Sequence, residues 1–476
     1  MGPLKEQTTL STKLWTVIQT ISVLVLLQCV LLPINLWICS TTDVFRVFAS
    51  PIRRSKFRSH DFASPQKTVL IDGGRLSKGL LLARLCKQAG YRVIYTATPQ
   101  TCFSGARFSR AVDRFYVIPN RANDDYVACE KDVMKIMRRE KVDVYMPVST
   151  ASSAVGDSNI ADSVRRAGHR AVALGSADAQ RLDDKHLFGQ WAKEVGCDVP
   201  ESHQVTSPRD MLVTLAKLSS GSTEPSRFQL KSIQYDDTHR TETVCSSEVS
   251  KPEVQARVLS LPISRSTPYL IQRHISGKEY CTHVLALSGD VLALAICPSS
   301  PWLLQYKHVE HAGISAWVKR FVRNTGLSGH ACFDFIVEDG TEIVYAIECN
   351  PRVSTAIACF RGSEQYGKAL DHFLDNPKAE EHSADASTIT PHHSMVAQHW
   401  LYHELLYELP RTFWSPTAAL NRILFIVKNE DALYDFDDPW PFFAQNHLLI
   451  PQQLLWHLWH LRPWTHIDYN LGRLID

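Results

Sequence analysis

The pattern of apolar and polar positions divides the chain into segments of different kinds. The first is an apolar run over residues 14–39 that carries no formal charge. About 20 such residues cross a bilayer as a helix, so the run predicts a transmembrane helix. Five lysine and arginine residues follow between positions 46 and 58, and this basic flank predicts a cytosolic body. A cleaved signal peptide and a helix packed on the protein's own surface remain alternatives, the first disfavoured by the length of the run.

Short apolar runs alternate with helical patterns from residue 67 onward. Residues 67–72 form an apolar strand pattern that ends in Gly73-Gly74, and a leucine-rich helical pattern and a second strand at 91–95 follow. This order is typical of a doubly wound parallel sheet, which further strands at 114–118, 142–147 and 170–174 extend. The glycine pair fits neither a dinucleotide fingerprint nor a P-loop, so a tight structural turn is favoured over a phosphate cradle.

The next region has a different pattern. A helix opens at Asp183-Asp184-Lys185 and stops at Gly196. Beyond it come strand patterns that alternate apolar and polar residues, as antiparallel sheets do; they lie at 227–233, 269–275, 282–287 and 291–296. We expect an α+β domain that is distinct from the parallel one.

Candidate chemistry concentrates between residues 331 and 352, where two strand patterns flank the turn signal Asp339-Gly340. In a hairpin, Asp334 near the entry would lie beside Glu348 and Asn350 near the exit. Two carboxylates and an amide oxygen are ligands that Mg²⁺ accepts together with nucleotide phosphates. Cationic side chains for those phosphates are available at Lys185, Lys231 and Arg352. The pattern favours a metal–nucleotide site over a solvated strand face.

Composition narrows the remaining classes. Lys and Arg total 51 and Asp and Glu 49, a net charge of +2, so no basic field indicates a nucleic-acid partner. Twelve cysteines occur without a C-x-x-C pair, which is typical of reduced thiols in a cytosolic protein. Six of the eleven tryptophans lie from Trp400 onward. A helical pattern at 448–461 in this aromatic tail predicts either packing on the body, which is favoured, or contact with lipid.

In chain order these features resemble the ATP-grasp superfamily, over residues 65–380. The resemblance implies a doubly wound pre-ATP-grasp domain followed by two α+β lobes that clamp ATP and Mg²⁺, with Mn²⁺ as a substitute. It implies phosphate contacts from Lys185 and Lys231. Of these two, Lys231 would also act in catalysis, together with Arg352. It further implies an adenine-binding hinge and a ribose contact; these are residues Gln272, Arg273 and Ile275 for the hinge and Glu279 for the ribose. Asp334, Glu348 and Asn350 would hold the metal.

A narrower resemblance, to the mycosporine-glycine synthases, covers nearly the whole chain. It is carried by the apolar N-terminus and by residues 104–109, 182–185, 230–236, 277–283, 346–352 and 437–442. It implies an ATP-dependent C–N ligase that condenses glycine with the cyclohexenone 4-deoxygadusol. Residues 353–355 depart from the pattern of that family, which leaves the amine substrate open. A carboxylate–amine ligase with another substrate, and a nucleotide-binding scaffold without activity, remain alternatives.

The sequence therefore predicts a multidomain α/β and α+β protein with the ATP-grasp fold. We expect an anchor helix and linker at 1–66, a pre-ATP-grasp domain at 67–180, a first ATP-grasp lobe at 181–270, a second lobe with the metal site at 271–378, and a C-terminal extension at 379–476. Expected partners are the small-molecule substrates, a membrane through the N-terminal helix and other enzymes of the same pathway. The expected location is a membrane, with the catalytic body on the cytosolic side.

Overall fold

The computed structural model describes residues 10–49, 67–119, 125–220, 226–233, 242–300, 304–376, 387–393 and 395–475. Residues 51–66 of the expected linker, and residues 377–386 around the start of the expected C-terminal extension, lie outside the described residues. The apolar N-terminus forms helices α1 (Leu10–Val25) and α2 (Leu32–Ala49), joined by one π-helical turn, Leu26–Leu31. Within the described residues, this is the one helix long and apolar enough to cross a membrane. It is longer at both ends than the uncharged run that predicted it.

The parallel sheet forms as predicted, in the order β3-β2-β1-β4-β5. Its elements are β1 (Thr68–Asp72), α3 (Ser77–Gln88), β2 (Arg92–Ala97), β3 (Arg114–Val117), α4 (Tyr126–Glu140), β4 (Val144–Pro147), α5 (Ala154–Arg166), β5 (Arg170–Ala171) and α6 (Ser176–Asp183). Every residue of β1 is buried, as expected of a central parallel strand. A Cβ on Gly73 would lie 2.3 Å from the Tyr95 hydroxyl, and Gly74 has φ +55°. Steric demands therefore explain the glycine pair as a structural turn.

The first antiparallel sheet has the order β6-β9-β7-β8. Its region contains α7 (Lys185–Glu194), β6 (Ser202–Val205), α8 (Pro208–Ser220), β7 (Arg227–Ser232), β8 (Glu242–Cys245), α9 (Pro252–Ser260) and β9 (Tyr269–Arg273). Helices α8 and α9 pack on it through an apolar cluster that includes Met211, Leu215 and Val258. The sheet holds Lys231 and Gln272 on neighbouring strands.

The second antiparallel sheet has the order β11-β10-β13-β14. Its region contains β10 (Gly277–Leu287), β11 (Asp290–Pro298), β12 (Gln305–Tyr306), α10 (Ala312–Thr325), β13 (Gly329–Glu338), β14 (Val344–Asn350) and α11 (Glu364–Asp375). Aromatic rings from α7, α10 and β13 form one side of its core, with Phe188 and Phe321 5.9 Å apart between centroids. This packing fixes the start of α7, and so Lys185, against the sheet.

The C-terminal region is largely helical. It contains β15 (Gln398–His399), α12 (Leu401–His403), α13 (Pro416–Lys428), β16 (Glu430–Asp431), α14 (Trp440–Ala444), α15 (Ile450–His460), β17 (His466–Asp468) and β18 (Arg473–Ile475). A π-helical turn, Gln445–Leu449, joins α14 to α15. The predicted tail helix is therefore the second half of a longer one. It packs on the body through the buried Leu454, while Trp459 is 86% exposed.

Candidate active site

Strands β13 and β14 form the hairpin that carries the predicted metal ligands. Their register places Asp334 directly opposite Glu348, and Cys332 opposite Asn350. Directly paired residues of an antiparallel pair share a face, and residues two apart on one strand do so as well. The turn contains Gly340 at φ +79°, a conformation that glycine adopts without strain. The hairpin thus brings the three side chains to the same end of the sheet.

The three side chains are in contact. The Asn350 amide nitrogen donates to Asp334 Oδ2 at 2.9 Å and lies 3.4 Å from Glu348 Oε1. Burial, together with the nearby charge of Glu348, raises the pKa of Asp334 well above its usual value. A divalent cation between the carboxylates would relieve this repulsion. In the described residues, His, Cys, Asp and Glu alone form no group of three that fits a metal. The Asn350 amide, turned to present its oxygen, would supply the third ligand of the predicted set.

Two lysines lie near the carboxylates. The region between these lysines and Asp334, Glu348 and Asn350 is called the cleft below. Lys185 is the first residue of α7, and its Nζ lies 3.7 Å from Glu348 Oε2. Lys231 is buried in β7, and its Nζ donates to Gln272 Oε1 at 2.8 Å. Burial alone would raise the pKa of Glu348, but Lys185 and Lys231 lower it below its usual value. Glu348 is therefore held ionised, beside ammonium groups that could contact phosphate oxygens.

Arg352 lies just beyond the ligand strand. Its backbone nitrogen donates to the Asn350 carbonyl at 2.8 Å, and the residue is half-buried. Burial raises the pKa of Asp183, and the charge of Arg352 opposes that shift. The same charge acts on Asp334 and Glu348. The guanidinium group therefore shares the electrostatic environment of the carboxylates.

The four residues predicted to contact the nucleotide base and ribose differ in their burial and in their partners. Gln272 and Ile275 are buried, and the exposed Glu279 acts electrostatically on Lys231 and Asp334. Arg273 does not join them, because its guanidinium donates to Glu338 at 3.2 Å and lies 5.4 Å from the Tyr345 ring centroid. Successive strand residues point to opposite faces, so Gln272 and Arg273 cannot both line the cleft. A side-chain contact from Arg273 to the nucleotide is not supported.

Sequence reasoning missed Lys78, which lies at the junction of the parallel sheet and the ligand loop. The side chain is buried, and its Nζ donates to the carbonyls of Ser149 at 2.8 Å and Val353 at 2.7 Å. Burial lowers its pKa well below the usual value. Lys78 thus links the end of β4 to the residues after Arg352. The available signal was a lysine inside an apolar helical pattern, where a buried partner is required.

Two of the segments that carry the narrower resemblance, residues 104–109 and 437–442, contact each other in the structure. Asp438 accepts from Ser109 Oγ at 2.6 Å and from the Arg110 backbone nitrogen at 2.9 Å, and it forms a buried ion pair with Arg84 at 3.0 Å. A Cβ on Gly105 would lie 2.7 Å from the Pro441 carbonyl oxygen. These motifs fasten the C-terminal region to the parallel-sheet domain. Their contacts are structural.

Comparison with known proteins agrees with this architecture. No protein-family model matches the chain. The carbamoyl phosphate synthase large chain of Rubrobacter xylanophilus is 24% identical over 308 residues, which are 59% of this chain and 27% of that protein; this chain therefore spans about a quarter of its relative. An L-amino acid ligase from Bacillus licheniformis gives a TM-score of 0.49 at 15% identity, covering 69% of this chain and 79% of that one.

The biotin carboxylase of Campylobacter jejuni, crystallised as a β,γ-ATP complex, superimposes with a TM-score of 0.50 at 14% identity. The match covers 65% of this chain and 71% of that one. The chain therefore has the ATP-grasp fold, preceded by a long apolar helix that is a candidate transmembrane span.

Proposed function

We propose that the chain is an ATP-dependent C–N ligase that uses Mg²⁺, and that it condenses glycine with 4-deoxygadusol to give mycosporine-glycine, ADP and phosphate. One observation carries the proposal. The paired carboxylates of Asp334 and Glu348 lie beside the ammonium group of Lys185, and the charge of the buried Lys231 acts on the same carboxylates. Such a cleft can hold a triphosphate and its divalent cation together. The ATP complex of the structurally similar biotin carboxylase supports this use of the fold.

The chemistry requires positioning and charge stabilisation rather than a covalent enzyme intermediate. The enol oxygen of the cyclohexenone attacks the γ-phosphorus of ATP, and ADP leaves. The glycine nitrogen then adds to the carbon that bears the new phosphate, a proton is lost, and inorganic phosphate departs. Lys185, Lys231 and Arg352 would offset the negative charge on the transferring group. A divalent cation held by Asp334, Glu348 and Asn350 would neutralise the remaining phosphate charge.

The segment at 353–355, which departs from the mycosporine-glycine synthases in sequence, is held by internal contacts. The Val353 carbonyl accepts from Lys78, Ser354 Oγ accepts from the Ala356 nitrogen, and Thr355 Oγ1 bonds to Asn470. The side chains of Ser354 and Thr355, engaged in this way, are less available to select an amine. The scope of the amine substrate is therefore part of the test.

The test supplies purified protein with ATP, Mg²⁺ and 4-deoxygadusol, adding glycine or another amine. We expect ADP release together with a new ultraviolet-absorbing enaminone, and neither product from the Glu348→Gln variant. ADP release with a carboxylate acceptor, and with no cyclohexenone tested, would indicate a carboxylate–amine ligase and would overturn the mycosporine substrate. Nucleotide binding without turnover of any acceptor would indicate a scaffold, and would overturn the catalytic proposal.

The N-terminal helix and its basic flank support attachment to a membrane, with the body in the cytosol and pathway enzymes as further partners. The helix meets the length and composition required to cross a bilayer. The basic flank at residues 46–58 favours the leaflet that faces the cytosol, whose lipids are anionic, and therefore a body on the cytosolic side. Cell fractionation with an impermeant label on the body would test this placement; labelling of the body from the outside of intact cells would contradict it.

A further inference from the structure

The N-terminal helix presents two chemically different faces. One face points toward the body, and it carries polar side chains that recur at helical spacing. Thr20, Asn35 and Thr42 are among its buried residues. Buried polar groups must find hydrogen-bond partners, and on this face they find them in the C-terminal region.

The partners run in reverse chain order, so the two long helices lie antiparallel. Trp464 Nε1 donates to Thr20 Oγ1 at 2.9 Å, and the Asn35 amide nitrogen contacts both the Tyr402 hydroxyl and His447. Nearer the end of α2, Asp43 pairs with Arg110 at 2.5 Å and accepts from Trp440 Nε1 at 3.1 Å. The helix is therefore fastened along its length, from α15 back to α14 and the parallel-sheet domain.

The position of Pro451 explains a further contact between the two long helices. Pro451 has no backbone N–H and so leaves the carbonyl of His447, four residues earlier, without its helical donor. The Gln28 amide nitrogen donates to that carbonyl at 3.2 Å. The π-helical turns Leu26–Leu31 and Gln445–Leu449 lie against each other here, and irregular turns of this kind often mark places where another group enters the ladder. The contact pairs the two helices in one register.

The opposite face of the N-terminal helix is apolar and exposed. Its large side chains include Leu14, Trp15 and Trp37, which are 60%, 65% and 68% exposed. On α15, which packs beside α1, Leu455, Trp456 and Trp459 are also exposed. Large apolar side chains exposed together on neighbouring helices mark an interaction site, and tryptophan is typical of the boundary between water and lipid.

We propose that the docked helix lies in the plane of one membrane leaflet, and that its apolar face binds lipid without crossing the bilayer. Its 39 residues extend for about 58 Å, whereas a span needs about 20 residues. Crossing would require the helix to leave α14 and α15. That would expose the polar groups of Thr20 and Asn35, which both lie within the run at 14–39, to hydrocarbon, where unpaired polar groups are costly. This inference does not depend on the proposed catalytic function.

The experiment uses the full chain with an epitope tag before Met1 that an added protease can remove. The protein is mixed with sealed vesicles of phosphatidylcholine and phosphatidylglycerol, which are recovered by flotation. We expect the protein to float with the vesicles. We also expect the protease to remove the tag equally well before and after detergent is added, because both ends of an in-plane helix stay on the side of the body. A tag that is protected until detergent is added would show a spanning helix and overturn the proposal.

Two matched variants separate the faces. Trp15→Glu combined with Trp37→Glu changes exposed side chains, so it should reduce flotation by at least about tenfold while leaving the unfolding temperature and ATP turnover unchanged. Asn35→Leu keeps the outer face and removes a docking contact, so it should lower the unfolding temperature and retain flotation. Unchanged flotation of the double variant would overturn the proposal. Failure of the wild-type protein to float, with self-association in its place, would assign the surface to a second copy of the chain and overturn it as well.

Discussion

The contacts in the cleft and the contacts between the paired helices differ in how far apart their residues lie in the sequence. In the cleft, Asp334 and Glu348 are brought together by a hairpin of 22 residues, whose two strand patterns and turn are recognisable in the sequence. In the helix pair, Asn35 meets His447 across 412 positions of sequence. Local strand geometry was enough for the first contact. The second depends on how two distant amphipathic helices pack, which no single segment encodes.

The largest effect is expected from neutralising one carboxylate of the cleft. Glu348→Gln keeps the shape of the side chain but removes the charge that faces Lys185 and Lys231. We expect ADP formation to fall by about 10³-fold, the scale of losing a preorganised electrostatic group. A coupled assay for ADP measures this.

The matched control is Glu338→Gln in the same hairpin, next to the turn. Glu338 binds Arg273 and is not one of the predicted metal ligands. Activity should therefore stay within about twofold, as for a surface substitution outside the site. A comparable loss in both variants would mean that the hairpin as a whole, and not the charge at Glu348, supports activity.

The contact between distant regions is tested through Arg84. Its ion pair with Asp438 is buried, with side-chain exposures of 4% and 0%. Arg84→Met would leave the carboxylate without this cation, and breaking such a pair costs about 3–5 kcal/mol in free energy of unfolding. Denaturant unfolding measures the change. Lys87→Met on the same helix is the control, because its pair with Asp113 is partly exposed and should contribute at most about 1 kcal/mol.

A smaller effect should appear in the pH dependence of stability. Burial lowers the pKa of His330 to about 4, and its Nε2 contacts the Tyr366 hydroxyl at 3.1 Å. The unfolded state, with a histidine pKa near 6.5, takes up the proton first. Stability from this group is therefore complete above about pH 6.5 and is lost as the pH falls toward 4, by up to about 1.4 kcal/mol per pH unit.

His330→Gln removes the titrating group and should flatten this slope between pH 6.5 and 5. The free energy of unfolding, measured across that interval in both proteins, tests the expectation. Equal slopes would show that His330 does not titrate differently in the folded chain. The buried Lys78, whose charge also lowers the pKa of His330, is unchanged in both proteins.

The fold and most of the cleft could be predicted from the sequence because both depend on patterns among residues that are close together in the chain. Strand and helix periodicity predicted the parallel sheet, and residue spacing predicted the meeting of Asp334, Glu348 and Asn350. By the same alternation rule Arg273 points away from the face of its neighbour Gln272, and it binds Glu338, so its contact with the nucleotide stays a prediction. The roles of Lys78 and Asn35 could not be derived, because their partners are carbonyl or side-chain groups far away in sequence.

The most direct test of the central claim is the binding of Mn²⁺ with ATP, followed by electron paramagnetic resonance of the manganese. We predict that the wild-type protein changes the spectrum of the Mn²⁺–ATP complex, and that Asp334→Asn and Glu348→Gln abolish the change while the protein stays folded. An identical spectral change in both variants would contradict the assignment of these carboxylates to the metal that accompanies the triphosphate.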